Sequence, residues 1–116
     1  MEQPTAAAPP TAGAEPLAVR TVDDVDVLKA MADPTRMAIL AALMRTRRDL
    51  PVRSVKELAA ELGEPQTKLY RHVRQLEAAG LIRVASTRMV SGILEQRYQA
   101  SQRDLVLGRG ILRAHA

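Results

Sequence analysis

A chain of 116 residues and 12.7 kDa, 47% apolar and 26% charged, is sized for one domain around a single core. Aromatics amount to 2%, two tyrosines with no Phe or Trp, so that core must be aliphatic, and zero cysteines exclude a disulfide scaffold, a thiolate metal site, a cysteine nucleophile and a thiol redox switch. A net charge of +4 suits an anionic partner, but the longest apolar run, Met37 to Met44, has eight residues against the roughly 20 that cross a bilayer, and no basic region followed by an apolar stretch marks a secretory signal.

In chain order, residues 1–16 (MEQPTAAAPPTAGAEP) are rich in Pro and Ala with no apolar period, which predicts a disordered tail ahead of a domain over 17–103. A first helix is expected from Val22 to Ala32, with Thr21 as its cap, Asp23 and Asp24 at its positive end and Val25, Leu28 and Met31 in one stripe. Asp33-Pro34 restarts the chain as N-cap and first helical residue of a second helix to about Arg45, which buries Ile39, Leu40, Leu43 and Met44. Leu50 to Arg53 reads as a short edge strand, where Pro51 is tolerated.

Ser54-Val55-Lys56-Glu57 is a capping box, so a third helix starts there, buries Val55, Leu58, Ala59 and Leu62, and stops at Gly63. Glu64-Pro65 opens a fourth helix, 65–79, closed by Gly80. Two helices joined by a short Gly-containing turn outline a helix-turn-helix. After Gly80 the apolar period changes from 3.6 to 2: Leu81, Arg83, Ala85 and Thr87 alternate with Ile82, Val84, Ser86 and Arg88. Ile93 to Ala100 forms a returning strand with Leu94, Tyr98 and Ala100 on one side, and Val90-Ser91-Gly92 supplies the turn. The fold class is therefore mainly α with a β-hairpin (α+β), a winged helix-turn-helix in which 81–100 is the wing. Residues 104–116 form a short C-terminal segment interrupted by Gly108 and Gly110.

The run Leu28-Lys29-Ala30-Met31-Ala32-Asp33-Pro34-Thr35-Arg36-Met37-Ala38-Ile39-Leu40 resembles the opening of ArsR-type winged-helix transcriptional regulators. The run Thr67-Lys68-Leu69-Tyr70-Arg71-His72-Val73-Arg74-Gln75-Leu76-Glu77-Ala78-Ala79-Gly80-Leu81-Ile82, followed by Gly92, Glu95 and Tyr98, is similar to that family's recognition helix and wing. The resemblance covers about residues 25–101 and implies a cytoplasmic bacterial regulator that binds operator DNA as a homodimer, usually a repressor released by an inducer. The family's metal-sensing members carry a cysteine pair near the DNA-reading helix; this chain has none, and no cofactor or metal is expected.

The charge pattern agrees with that expectation. Residues 1–64 hold 8 Lys/Arg against 10 Asp/Glu, whereas residues 65–103 hold 7 against 2, and 14 of the 17 basic residues in the chain are arginine, whose planar fork suits phosphates and guanine edges. On the fourth helix Leu69, Val73 and Leu76 share an inward stripe, and the other side presents Gln66, Thr67, Lys68, Tyr70, Arg71 and Arg74 to double-stranded DNA: Arg to guanine, Gln to adenine, Thr or Tyr to base or phosphate. The first turn also offers backbone N–H groups to a phosphate. Arg88, near the wing tip, is the remaining candidate for the flanking minor groove or backbone, and for Arg83 and Arg97 a DNA role and a charged, aggregation-resistant strand edge are evenly matched.

Other residues read as structural. Arg36 is expected to bond a helix end or Asp33. His72, beside the inward stripe, is expected to be packed and hydrogen-bonded, with only His115 available as a fellow metal ligand. The first helix and the apolar residues Leu105, Val106, Leu107, Ile111 and Leu112 complete the domain's own core or bury against a second copy; two half-sites about 34–36 Å apart favour the second copy. The competing function is a winged helix used only for protein association, such as the dimerisation domain of a methyltransferase; the net +5 of residues 65–103 argues against it. Enzymatic activity is not expected, since no nucleophile triad or phosphate loop is present.

Overall fold

The computed structural model describes residues 15–114, so the expected tail over 1–16 lies outside the described residues apart from Glu15 and Pro16, and His115 lies outside them as well. In chain order the elements are β1 (Arg20–Val22), α1 (Val25–Met31), α2 (Pro34–Leu43), β2 (Arg53–Ser54), α3 (Val55–Leu62), α4 (Gln66–Ala78), β3 (Ile82–Val90), β4 (Ile93–Ala100), β5 (Leu105–Leu107) and α5 (Arg109–Ala114). One sheet has the order β2-β4-β3, antiparallel throughout, and a second pairs β1 with β5 in parallel, Thr21 opposite Val106.

The helix boundaries follow from their caps. The Asp33 carboxylate accepts from the Arg36 N–H at 3.0 Å with Pro34 in the first helical position, which starts α2. The capping box of α3 is complete: the Glu57 N–H donates to Ser54 Oγ at 3.1 Å and the Ser54 N–H donates to Glu57 Oε1 at 2.8 Å. Gly63, at φ 69°, takes the left-handed conformation that ends α3. These features match the sequence expectation, as do the winged arrangement of α3, α4, β3 and β4 and the placement of the hairpin turn.

Helix α1 does not begin where expected. Residues 20–22 are extended, Asp24 rather than Thr21 is the cap, accepting from the Asp26 N–H at 2.7 Å, and helix starts at Val25. Asp caps better than Thr, and the strand's partner comes from the far end of the chain, where no local pattern announces it. The second helix ends at Leu43, with Met44 as its cap, and the edge strand is confined to Arg53–Ser54.

The core is aliphatic with one phenol. Ile39, Leu40 and Leu43 of α2 meet Val55, Leu58 and Ala59 of α3, Leu69, Val73 and Leu76 of α4, and Leu81, Ile82, Tyr98 and Ala100 on and beside the sheet. Burying each of these larger aliphatic side chains contributes roughly 1.5–3 kcal/mol. The apolar stripe of α4 is thereby pinned to α2 and α3, which fixes the direction of its opposite face.

The C-terminal segment is tied back to the N-terminal strand. Leu105 packs against the core, Ile111 is buried, and Val106 and Leu107 stay exposed. Asp23, expected at the positive end of the first helix, accepts from the Gly110 N–H at 3.2 Å instead. A Cβ at Gly108 would stand 1.9 Å from Asp23 Oδ1 and 2.9 Å from Thr21 Cγ2, so this glycine permits the close approach of the two ends rather than merely weakening a helix. Gly108→Ala is expected to destabilise the protein by about 1–3 kcal/mol, read as a lower melting temperature; an unchanged melt overturns this docking.

Candidate nucleic-acid interface

The side chains of α4 divide as the helical period requires. Leu69, His72, Val73 and Leu76 are buried, while Gln66, Thr67, Lys68, Tyr70, Arg71 and Arg74 are exposed on one broad face. The helix has Pro65 as its N-cap residue with no side-chain cap; the Lys68 N–H donates to the Pro65 carbonyl at 3.1 Å, and the Gln66 and Thr67 N–H groups ahead of it have no intrahelical acceptor. Lys68 pairs with Glu64 at 3.1 Å, one turn back, and the Tyr70 hydroxyl lies 3.4 Å from Gln66 Oε1. Among the described residues, Arg71 and Arg74 form no hydrogen bond or ion pair, so both forks are available to a ligand.

Two other arginines fix this helix. Arg36 Nε donates to the Ala30 carbonyl at the end of α1, and its NH1 reaches Gln75 Oε1 and lies 3.1 Å from His72 Nδ1. His72 also lies 3.8 Å from Asp33 Oδ2. The structural roles expected of Arg36 and His72 are thus the observed ones. The hydrogen bond from the Arg36 N–H holds the Asp33 carboxyl below its ordinary range, with His72 and Arg36 charges adding to the effect. Arg20, which carried no signal in the sequence beyond its charge, bonds the Ala79 carbonyl at 3.0 Å and the Gly80 carbonyl, the open C-terminal acceptors of α4. Burial lowers the Arg20 pKa from its ordinary value.

On the wing the outcome is mixed. Arg88 Nε donates to Glu95 Oε1 at 2.7 Å and its NH2 lies 3.8 Å from Glu57 Oε2; the Glu95 hydrogen bond raises the Arg88 pKa. Arg97 donates to Glu57 Oε1 at 3.2 Å and to the Val52 carbonyl at 3.1 Å. Arg83 is buried, 6% exposed, with its NH2 on Gln99 Oε1 at 2.8 Å. The evenly matched expectation for these last two resolves toward structure, because the loop carrying Leu50 and Val52 covers that face of the sheet.

Strict alternation along the outgoing strand fails at one point. The pairing shifts between Val84 and Ser86, a bulge that leaves Ala85 unpaired, so Val84, Thr87 and Met89 face the same side as Tyr98, Gln96 and Leu94. Leu94, expected on the inner side with Tyr98 and Ala100, is exposed, because it pairs with Met89 near the hairpin tip, beyond the packed core that covers Tyr98 and Ala100.

A helix-turn-helix domain family model matches residues 31–85. Reduced HlyU from Vibrio cholerae is 32% identical over 66% of this chain and 70% of its own, with a TM-score of 0.50. The chain belongs to the ArsR-type winged helix-turn-helix transcriptional regulators. NolR from Sinorhizobium fredii is 27% identical over 78% of this chain and 74% of its own, TM-score 0.50. The homodimeric winged helix-turn-helix DNA-binding domain of Mb0332 from Mycobacterium bovis, a possible ArsR-family regulator, shares the fold at 23% identity and TM-score 0.50, over 78% of this chain and 68% of its own. No curated protein matches the chain.

As an ArsR-type member, the protein is a DNA-binding transcriptional regulator. Among the described residues no helix is long and apolar enough to cross a membrane, and no group of three or more His, Asp or Glu is placed to hold a metal ion.

The two depressed carboxyls give the regulator an acid response. Glu57 is held below its ordinary range first by the Ser54 N–H and then by Arg97 and Arg88, against a raising effect of burial. A folded-state pKa below the unfolded one contributes stability that is complete above the ordinary carboxylate range and is lost as pH falls from that range through the lower folded-state pKa. Melting temperature is expected to drop on acidification, and Glu57→Gln to flatten that dependence; equal slopes for both proteins sink this account.

Proposed function

We propose that this regulator is a cytoplasmic, homodimeric repressor that reads operator DNA with α4 in the major groove and the hairpin 81–100 on the flanking minor groove or backbone. The observation that carries the reading is the exposed face of α4: Arg71 and Arg74 without internal partners, Gln66, Thr67, Lys68 and Tyr70 around them, and an uncapped first turn. Arg71 and Arg74 donate to guanine O6 and N7, Gln66 pairs with adenine, and the backbone N–H groups of the first turn hold a phosphate. Arg88, already paired with Glu95, contributes at the backbone only by exchanging that partner. A purely associative winged helix would have no use for two unpaired arginines on one exposed helix face.

Residues 17–103 are the DNA-binding domain in this reading, and residues 104–116 carry the dimer contact together with α1. Supporting this, no residue of α1 is fully buried within one copy, and Val106 and Leu107 remain exposed beside it. A two-fold dimer places two α4 helices about 34–36 Å apart, one turn of duplex.

Selection of bound duplexes from a random-sequence pool tests the reading directly. A palindromic motif is the expected product, with log affinity falling linearly in log salt. Arg71→Ala is expected to cost about 1–3 kcal/mol of binding and to relax preference at one base position. An unenriched pool, or binding indifferent to salt, refutes the proposal.

A further inference from the structure

The wing tip does not have the chemistry of a phosphate clamp. From Met89 to Leu94 the tip is Met-Val-Ser-Gly-Ile-Leu, without one charged residue, and the nearest cation, Arg88, is tied to Glu95 and Glu57. Four large apolar side chains stand in solvent there: Met89 is 67% exposed, Ile93 72%, Leu94 62% and Val90 38%. They form two directly opposed pairs, Met89 with Leu94 and Val90 with Ile93. Ser91 and Gly92, at φ 51° and 78°, close the hairpin in two residues, so the apolar cluster sits on a short, stiff support. Exposing it opposes solubility, which calls for a partner surface.

The position of the cluster identifies that surface. A groove of about 610 Å³ separates the wing from α4; Gln66, Tyr70 and Arg74 line one wall, and Val90, Ile93 and Leu94 line the other. A duplex seated on α4 is therefore the body that the tip meets. Its phosphates can accept from the Ser91 hydroxyl and the backbone N–H groups of the turn but give the four apolar side chains no partner, whereas the minor groove presents deoxyribose C–H surface and base steps that open to apolar side chains.

We infer that the tip, with Met89 and Leu94 on one face and Val90 and Ile93 on the other, enters the minor groove as an apolar wedge and bends the duplex. The inference rests on the DNA-reading role proposed above for α4. The wedge adds affinity without neutralising phosphates, and it favours flexible pyrimidine–purine steps such as TA at the position beneath the tip. The wing thus selects deformable flanks while α4 selects bases.

The test uses the full chain, its Met89→Ser/Ile93→Ser double variant and Arg88→Ala, each titrated over a range of salt with the duplex that the native protein enriches from a random pool. End-to-end fluorescence transfer on the duplex reports the bend, sedimentation reports oligomer mass, and a thermal melt confirms that these exposed substitutions leave the fold intact. The double variant is expected to bind about tenfold more weakly, with an unchanged salt slope and a smaller bend. Arg88→Ala, which removes a cation that reaches the backbone only by leaving Glu95, is expected to lower the salt slope without changing the bend, the opposite signature to that of the double variant. Native affinity and bend in the double variant overturn the wedge, as does a reduced salt slope in that variant. A loss of oligomer mass with unaltered duplex binding also overturns it and assigns the cluster to a second copy. Failure of the underlying reading looks different: the native protein then enriches no duplex and Arg71→Ala changes nothing, whereas failure of the wedge alone leaves Arg71→Ala weakened.

Discussion

The rest of the molecule depends on how α4 is held, and Arg36 is the side chain that holds it. One guanidinium bonds the end of α1 through Ala30, while its own backbone N–H completes the cap of α2 on Asp33, and its outer nitrogen meets His72 and Gln75 of α4. A flexible ammonium could serve any one of these acceptors but not the fan of them, because only the guanidinium presents several donors in a fixed plane. Three helices are thereby registered at one point, and the aliphatic stripe of α4 supplies the remaining constraint from below. Arg20 completes the arrangement at the other end of the helix by taking the Ala79 and Gly80 carbonyls. The outward side of α4 is consequently exposed on a helix fixed at its C-terminal end and along its flank, with no side-chain cap on its N-terminal turn.

The features legible in the sequence were those whose physics is local. Asp33-Pro34, the Ser54/Glu57 box and Gly63 each act within four residues, so their chemistry appears as a short pattern and the structure follows it. The inward and outward faces of α4 were equally legible, since the helical period alone separates Leu69, Val73 and Leu76 from Arg71 and Arg74. What escaped was set by distance along the chain. Residues 20–22 look like the start of a helix until Leu105–Leu107 arrives as a strand partner. Gly108 reads as a helix breaker until Asp23 is found against it. The bulge at Ala85 is a third case: nothing in Val-Ala-Ser announces an extra residue, yet it changes which side chains of β3 share a face.

Charge shows the same division between what a count reveals and what only packing decides. Residues 65–103 carry a net +5, which suggests a broad positive field over helix and wing. Two of the three counter-charges, however, Glu64 and Glu57, come from outside that window, and only Glu95 lies within it. Glu64 takes Lys68, and Glu57 takes Arg97 and approaches Arg88, which Glu95 also holds. Arg83 is turned under the loop at Leu50, and Arg103 bonds the carbonyls of Arg47 and Arg48. The field that reaches a ligand is therefore concentrated on Arg71 and Arg74, on one helix face.

That concentration bears on how such a small domain discriminates among sequences. A wing covered in free arginines would strengthen binding to any duplex, because phosphate contacts carry no sequence information. Here Arg88 and Arg97 are paired with carboxylates of α3 and β4, Arg83 is buried against Gln99, and the exposed tip beyond them is apolar. In the proposed reading the non-specific part of binding is thereby kept low, and recognition falls on the base-edge contacts of α4. Glu57 is central to this, since the same carboxylate that closes the capping box of α3 also draws the arginines of the wing inward. A residue that caps the start of α3 thus also limits indiscriminate attraction to nucleic acid, and Glu57→Gln separates the two roles, because a glutamine Oε1 still accepts from the Ser54 N–H while the charge that holds Arg97 and Arg88 is lost.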